Sequence, residues 1–162
     1  MTDGWYDVDR WGVPTNMFGP VGEDFYGLTG RIVLVSALLE QRLQDLYVAV
    51  ARVPQGQMAG ESGSSLIKAL RRHLDGLPAN RQEHASAVLS AAGAALARRH
   101  EVVHSLWPHT DAAPVRGWRG VRHRGGQDQP WVWTATHADQ LPDVLTDLIQ
   151  AVRQCTELRA SL

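Results

Sequence analysis

The feature that most constrains the fold is a long run of apolar residues at helical spacing, from about Asp24 to Arg52. At about 100° per residue, its large apolar side chains fall in one narrow stripe, made of Phe25, Leu28, Ile32, Val35, Leu39, Leu43, Leu46 and Val50. A helix with one apolar stripe needs partners that bury it. The chain therefore has to supply further elements that pack on this face, and its 162 residues suffice for one compact domain.

Three more segments carry helical signals. A flexible loop at 54–64, rich in Gly and Ser, precedes a short predicted helix at about 65–74. A long alanine-rich helix is predicted from about 81 to 107, ended by Pro108. The last helix is predicted at about 142–160, with its apolar residues again on one side.

Residues 116–136 break this pattern and indicate a β-hairpin, because W-R-G-V-R-H-R and W-V-W-T-A-T flank G-G-Q-D-Q-P. The prediction is a mostly α fold, a four-to-five-helix bundle with one inserted β-hairpin before the last helix. Residues 24–162 are expected to form a single domain. Residues 1–23 hold too much Gly, Pro and Asp for a helix, yet carry several aromatics, which predicts an extended arm packed on the domain or on a second subunit.

Composition narrows the classes of function. The formal charge is −1, so any affinity for nucleic acid has to come from a local basic patch. The single cysteine, Cys155, excludes an internal disulfide framework and a multi-cysteine zinc site. No early basic and apolar segment resembles a signal peptide, and no apolar run is long enough to cross a membrane. The sequence predicts a cytoplasmic protein without a membrane partner.

The stretch R-R-H-E-V-V-H-S-L-W at 98–107 allows two interpretations. The first is H-E-x-x-H, in which His100 and His104 lie one helical turn apart and can share a zinc ion, while Glu101 activates the metal-bound water. A third ligand is then required. Glu157 is the only glutamate downstream that could supply it. We therefore rank a zinc hydrolase third among the candidate functions and assign no metal.

The second interpretation starts at Arg99, which is followed five positions later by His104. This pattern resembles the signature of the HEPN ribonucleases, in which a polar residue follows the arginine. Here that residue is His100, and the small residue Ser105 follows the histidine. The resemblance covers about residues 24–160 in architecture but only the segment from Arg99 to Trp107 in motif. It implies a dimeric helical bundle that acts as a metal-independent endoribonuclease without a cofactor, in the role of a toxin or defence effector.

The resemblance also implies roles for individual residues. His104 would move the proton of the RNA 2′-OH, and Arg99 would hold the scissile phosphate. His100, Glu101 and Ser105 would support them; His100 either orients His104 or faces solvent, and Glu101 is expected to pair with Arg98 or another basic neighbour. The implied partners are an RNA substrate, a second copy of the chain and an antitoxin or regulatory protein. A non-catalytic dimeric HEPN-like interaction module is the main alternative.

The helical wheel places Arg99 in the centre of the apolar face of its predicted helix. An arginine there is costly unless it pairs with a carboxylate, such as Glu40 or Asp45, or opens onto a cleft or a subunit interface. His104 lies about 140° away from Arg99 on the same wheel, so one straight helix does not bring the two together. The dimer implied by the resemblance would do so across a cleft.

The predicted hairpin offers a basic and aromatic surface for single-stranded RNA, through phosphate contacts and base stacking. Its members are Arg116, Arg119, Arg122, Arg124 and Trp118, with two more tryptophans on the second strand. The alternative is a hairpin whose tryptophans cover the helical core while its arginines are solvated.

Overall fold

The computed structural model describes residues 8–9, 11–14, 21–108, 115–121 and 132–162. Within these ranges the chain forms four α-helices, namely α1 (Glu23–Ala51), α2 (Gly63–Arg71), α3 (Ala79–Val103) and α4 (Leu141–Ala160). Strands β1 (Arg116–Val121) and β2 (Val132–His137) pair antiparallel before α4, and short 3-10 turns cover Leu74–Gly76 and Ala138–Gln140. The predicted mostly α bundle with one hairpin before the last helix is confirmed.

The core lies between α1, α3 and α4, with α2 packed against α1 and α3. The predicted stripe of α1 faces it: Ile32, Leu39, Leu43 and Leu46 are buried, and the remaining members are partly buried. Helix α4 adds buried apolar side chains at helical spacing, and Cys155 is one of them. Burial raises the pKa of the Cys155 thiol to about 11, which makes it a packing residue.

Helix α3 ends at Val103, four residues before the predicted end at Trp107. Pro108 is therefore not what stops it. The backbone of Leu106 instead forms two hydrogen bonds with Trp118 of β1, at 2.8 and 2.7 Å. The indole N–H of Trp107 donates to the carbonyl of Val102 at 3.2 Å. Pairing with the hairpin thus replaces the last predicted turn of the helix.

Gly117 makes this pairing possible, because β1 runs directly over the end of α3. A Cβ on Gly117 would lie 2.7 Å from Trp107 Cε2 and 2.8 Å from Ser105 Cβ, closer than real Cβ contacts. Trp107 in turn packs edge-on against Phe25 at the start of α1, with ring centroids 4.9 Å apart. The start of α1, the end of α3 and β1 therefore hold one another in place.

Another glycine brings α2 close to its neighbours. A Cβ on Gly63 would overlap Leu96 Cδ1 of α3, and its backbone N–H donates to Glu40 Oε1 of α1 at 3.2 Å. The hydroxyl of Ser62 caps the helix by accepting the N–H of Ser65 at 3.3 Å. The first turn of α2 therefore faces α1 and α3 directly.

Of the predicted N-terminal arm, the structure describes a small turn in which Val8 and Pro14 form a β-bridge. The Asp9 carboxylate accepts the backbone N–H groups of Trp11 and Val13. Most of the remaining arm lies outside the described residues, so its packing stays a prediction. None of the helices in the described ranges has the length and apolarity needed to cross a membrane.

Candidate functional site

The site is built at the end of α3, where the helix meets the hairpin. His104 is the C-cap residue, with φ −103° and ψ 9°, and its backbone N–H donates to the His100 carbonyl at 3.1 Å. Both side chains are exposed. Their imidazole rings contact each other with centroids 4.3 Å apart and planes tilted by 49°. The two histidines of the motif therefore form a pair of tilted, contacting rings on the surface.

The pKa of His100 lies below the ordinary imidazole range. Partial burial is the largest cause, followed by the positive charges of His104, Arg119 and Arg99, while Glu101 opposes the shift. Because repulsion from His104 contributes, the pair resists holding two protons. His100 is consequently neutral near pH 7, and the pair then contains an imidazole that can accept a proton.

Arg99 is half-buried, and its Nε N–H is buried without an acceptor. Neither expected partner accepts this N–H: Glu40 accepts the Gly63 N–H, while Asp45 pairs with Arg42 at 2.9 Å and lies 3.6 Å from Arg159. Arg99 instead borders a cleft of about 480 Å³, together with His100. Of the two expectations from the helical wheel, the cleft is the one that the structure supports.

Arg98 behaves differently, since it pairs with Asp147 of α4. Glu101 is exposed, and of the basic neighbours it is His100 whose pKa its charge raises. Ser105 is buried, and its hydroxyl donates to the Glu101 carbonyl at 2.5 Å. Ser105 thus packs under β1 at the end of α3, where its Cβ lies against Gly117.

Arg119 is the hairpin residue that reaches the motif. It is half-buried on β1, its Nε N–H is buried without an acceptor, and its charge lowers the pKa of His100. The alternative in which the hairpin arginines are solvated does not fit Arg119, which is half-buried. Arg116 is exposed, as is Trp118 at 36%. Arg122 and Arg124 lie outside the described residues.

We refer to Arg99, His100, His104 and Arg119 as the basic cluster. Three of the four belong to α3 and its cap, and Arg119 reaches them because Leu106 pairs with Trp118. The wheel argument that separated Arg99 from His104 still holds for a single helix. His100 connects them, because its ring contacts that of His104 and it shares the cleft border with Arg99. A cluster of this charge suits a phosphate or carboxylate group.

For the zinc interpretation, the described residues contain no group of three His, Cys, Asp or Glu side chains arranged to hold a metal ion. Glu157, the expected third ligand, is exposed on α4. The positive charges of Arg99 and Arg119 near His100 favour an anionic ligand at this position over a cation.

Sequence reasoning missed the approach of Arg119 to the motif and the cleft beside it. Both depend on glycines that permit close contact: Gly117 under the hairpin and Gly63 at the start of α2. Each is a glycine in a strand or helix, which was the available signal for a close approach. No protein-family model, curated protein sequence or solved structure matches this chain. The HEPN resemblance accordingly stays a prediction.

Proposed function

We propose that the basic cluster is the active site of a metal-independent endoribonuclease that cuts RNA through the RNA's own 2′-OH. One observation carries the proposal: Arg99 and Arg119 each hold a buried N–H without an acceptor near the contacting histidine pair. A phosphodiester offers anionic oxygens that such N–H groups bind strongly. The site thus combines phosphate binding with a proton carrier.

The reaction needs no group beyond these side chains. The 2′-oxygen bonds to phosphorus while the bond from phosphorus to the 5′-oxygen breaks, which leaves a 2′,3′-cyclic phosphate and a free 5′-OH. The 2′-OH proton passes to the imidazole pair, and the pair returns a proton to the departing 5′-oxygen. Arg99 and Arg119 offset the negative charge that develops on the phosphorane oxygens. His104 is the residue that we expect to be indispensable for proton transfer.

The proposal includes a homodimer. Helix α1 exposes large apolar side chains on the face away from the core, and Leu34 is 71% exposed. A surface of this kind is typical of a protein interface. We expect light scattering at micromolar concentration to give the mass of two chains. The biological setting that accompanies the proposal is a cytoplasmic toxin or defence effector, restrained by an antitoxin or a regulatory protein.

The test is cleavage of a single-stranded RNA in the presence of a strong chelator. We expect a 2′,3′-cyclic phosphate end, and no cleavage where the sugar at the cut is 2′-deoxyribose. His104→Ala should lower turnover by about 100-fold or more, as loss of general acid–base catalysis does. His84→Ala is the matched control, because His84 is an exposed histidine near the start of the same helix.

The outcomes separate the alternatives. If RNA stays intact, or if His104→Ala cuts as fast as the parent chain, the ribonuclease proposal fails and the interaction module takes its place. If the protein carries one tightly bound zinc ion that His100→Ala releases, the H-E-x-x-H interpretation replaces it.

A further inference from the structure

The cleft beside Arg99 lies between three helices and adjoins the basic cluster. Its volume is about 480 Å³, and it is lined by parts of α1, α2 and α3. We call it the α2 cleft. Arg99 and His100 border both this cleft and the cluster, so a chain held at the cluster can place its neighbouring group into the cleft. The volume accommodates a ligand of nucleotide size.

The walls of the α2 cleft suit a flat apolar ring. Ile67 of α2 and Leu96 of α3 supply aliphatic surface, and Gly93 leaves open space between them. A Cβ on Gly93 would meet only Ile67 Cδ1, at 3.7 Å, so this glycine widens the cleft without being required for packing. Planar heteroaromatic rings are bound by apolar walls of this kind with a few polar groups at their edge.

Glu40 supplies the polar edge. Its Oε1 accepts the Gly63 N–H at 3.2 Å, which fixes the carboxylate at the cleft wall. A carboxylate has about four lone-pair sites, so one hydrogen bond leaves it able to accept more. Among the nucleobases, guanine presents two adjacent N–H donors, N1–H and the N2 amino group, on its Watson–Crick edge. A carboxylate therefore selects guanine over adenine, which offers only one donor group there.

We propose that the α2 cleft is a base subsite that holds guanine next to the phosphate bound by the basic cluster, with Glu40 accepting from N1–H and N2–H. The inference rests on the proposed function and deepens it, because it names the nucleotide beside which RNA is cut. The ligand that we propose is RNA with guanosine next to the bound phosphate.

The test measures binding of 3′-mononucleotides by calorimetry, since these contain no bond to be cut. We expect guanosine 3′-phosphate to bind about tenfold or more tightly than adenosine 3′-phosphate, the usual effect of hydrogen bonds to a charged group. Inosine 3′-phosphate, which lacks the N2 amino group, should bind with intermediate affinity. Glu40→Gln keeps an acceptor for the Gly63 N–H and should remove the preference, whereas Glu83→Gln, at an exposed glutamate of α3, should keep it.

A second pair of variants tests the cleft without altering Glu40. Ala97 is exposed at the cleft, so Ala97→Phe should block it and weaken guanosine 3′-phosphate binding about tenfold or more, the scale set by losing the same hydrogen bonds. Ala94→Phe is the matched control, since Ala94 is exposed on the same helix and faces Asp147 of α4. Neither alanine belongs to the basic cluster.

Failure of this inference is distinguishable from failure of the proposed function. Guanine-selective binding that depends on Glu40, without any RNA cleavage, would keep the base subsite and reject the catalytic role. Cleavage of RNA with no preference for guanosine in the parent chain, or equal affinity for all 3′-mononucleotides, would overturn the subsite and leave catalysis standing.

Discussion

The two sides of α3 near its end carry adjacent arginines with opposite surroundings. On the side of α4, Arg98 pairs with Asp147, and both side chains stay more than one-third exposed. On the side of the α2 cleft, Arg99 has a buried N–H without an acceptor, and so does Arg119 of β1. The same residue type thus completes an ion pair on one side and keeps a buried N–H without a protein acceptor on the other.

This difference indicates which charges stabilise the fold and which are available to a ligand. An exposed pair such as Arg98 with Asp147 contributes about 0–1 kcal/mol to folding. A buried donor without an acceptor costs free energy in the folded chain, about 1–3 kcal/mol for a group that is fully desolvated. Two such donors next to two histidines suit an external anion that supplies the acceptors, as the proposed function requires.

The largest expected effect comes from replacing Arg99 by methionine, which keeps an apolar side chain of similar length. Arg99→Met should lower RNA turnover by about 100-fold, the usual effect of removing one donor that stabilises a developing charge. Its free energy of unfolding should stay the same or rise, because an unsatisfied buried donor is removed. Turnover assays and urea unfolding measure the two effects.

Arg98→Met is the matched control. It should lose at most about 1 kcal/mol of stability, since it breaks an exposed ion pair, and its turnover should stay within about twofold. The contrast between the two sides would be refuted by equal losses of turnover, or by Arg99→Met being the less stable of the two.

A second prediction concerns the contact that brings Arg119 to the motif. Gly117→Ala places a Cβ against Trp107 and Ser105 and should lower the free energy of unfolding by about 1–3 kcal/mol, as overpacking does. Gly30→Ala is the control: Gly30 lies inside α1 with open space around its Cβ position. This change should raise stability by about 0.5–1 kcal/mol through helix propensity. Thermal and urea unfolding measure both effects. Equal free energies of unfolding for Gly117→Ala and Gly30→Ala would contradict the packing argument.

The bundle could be predicted from the sequence because burial repeats at helical spacing, as the stripe of α1 does from Ile32 to Leu46. The end of α3 could not, because it is decided by a non-local backbone pairing between Leu106 and Trp118. Helix propensity and Pro108 are local signals and carry no information about that strand. The motif identified three members of the basic cluster, whereas the position of Arg119 depends on how the hairpin packs.

The α2 cleft illustrates the same limit. Glu40 is one of several polar residues along α1, and nothing in its local sequence indicates that it accepts the N–H of Gly63, 23 residues later. The sequence predicts Glu40 only as one of the carboxylates that could pair with Arg99, because an arginine on an apolar face needs a partner. The actual arrangement depends on the close approach of α2, which is set by the missing side chain at Gly63.

The smallest expected effect is on the titration of His100, followed by its ring proton signals in NMR spectra. In the folded chain the pKa of His100 is below the usual 6.5, so the unfolded chain protonates this histidine first as the pH falls. The contribution of His100 to the free energy of unfolding is therefore constant above about pH 6.5 and decreases below it. Arg119→Gln removes a positive neighbour and should raise the pKa of His100. Glu101→Gln removes a negative neighbour and should lower it further. An unchanged pKa of His100 in Arg119→Gln would mean that Arg119 does not lie close to the histidine pair. Arg99 would then be the single arginine whose surroundings contrast with those of Arg98.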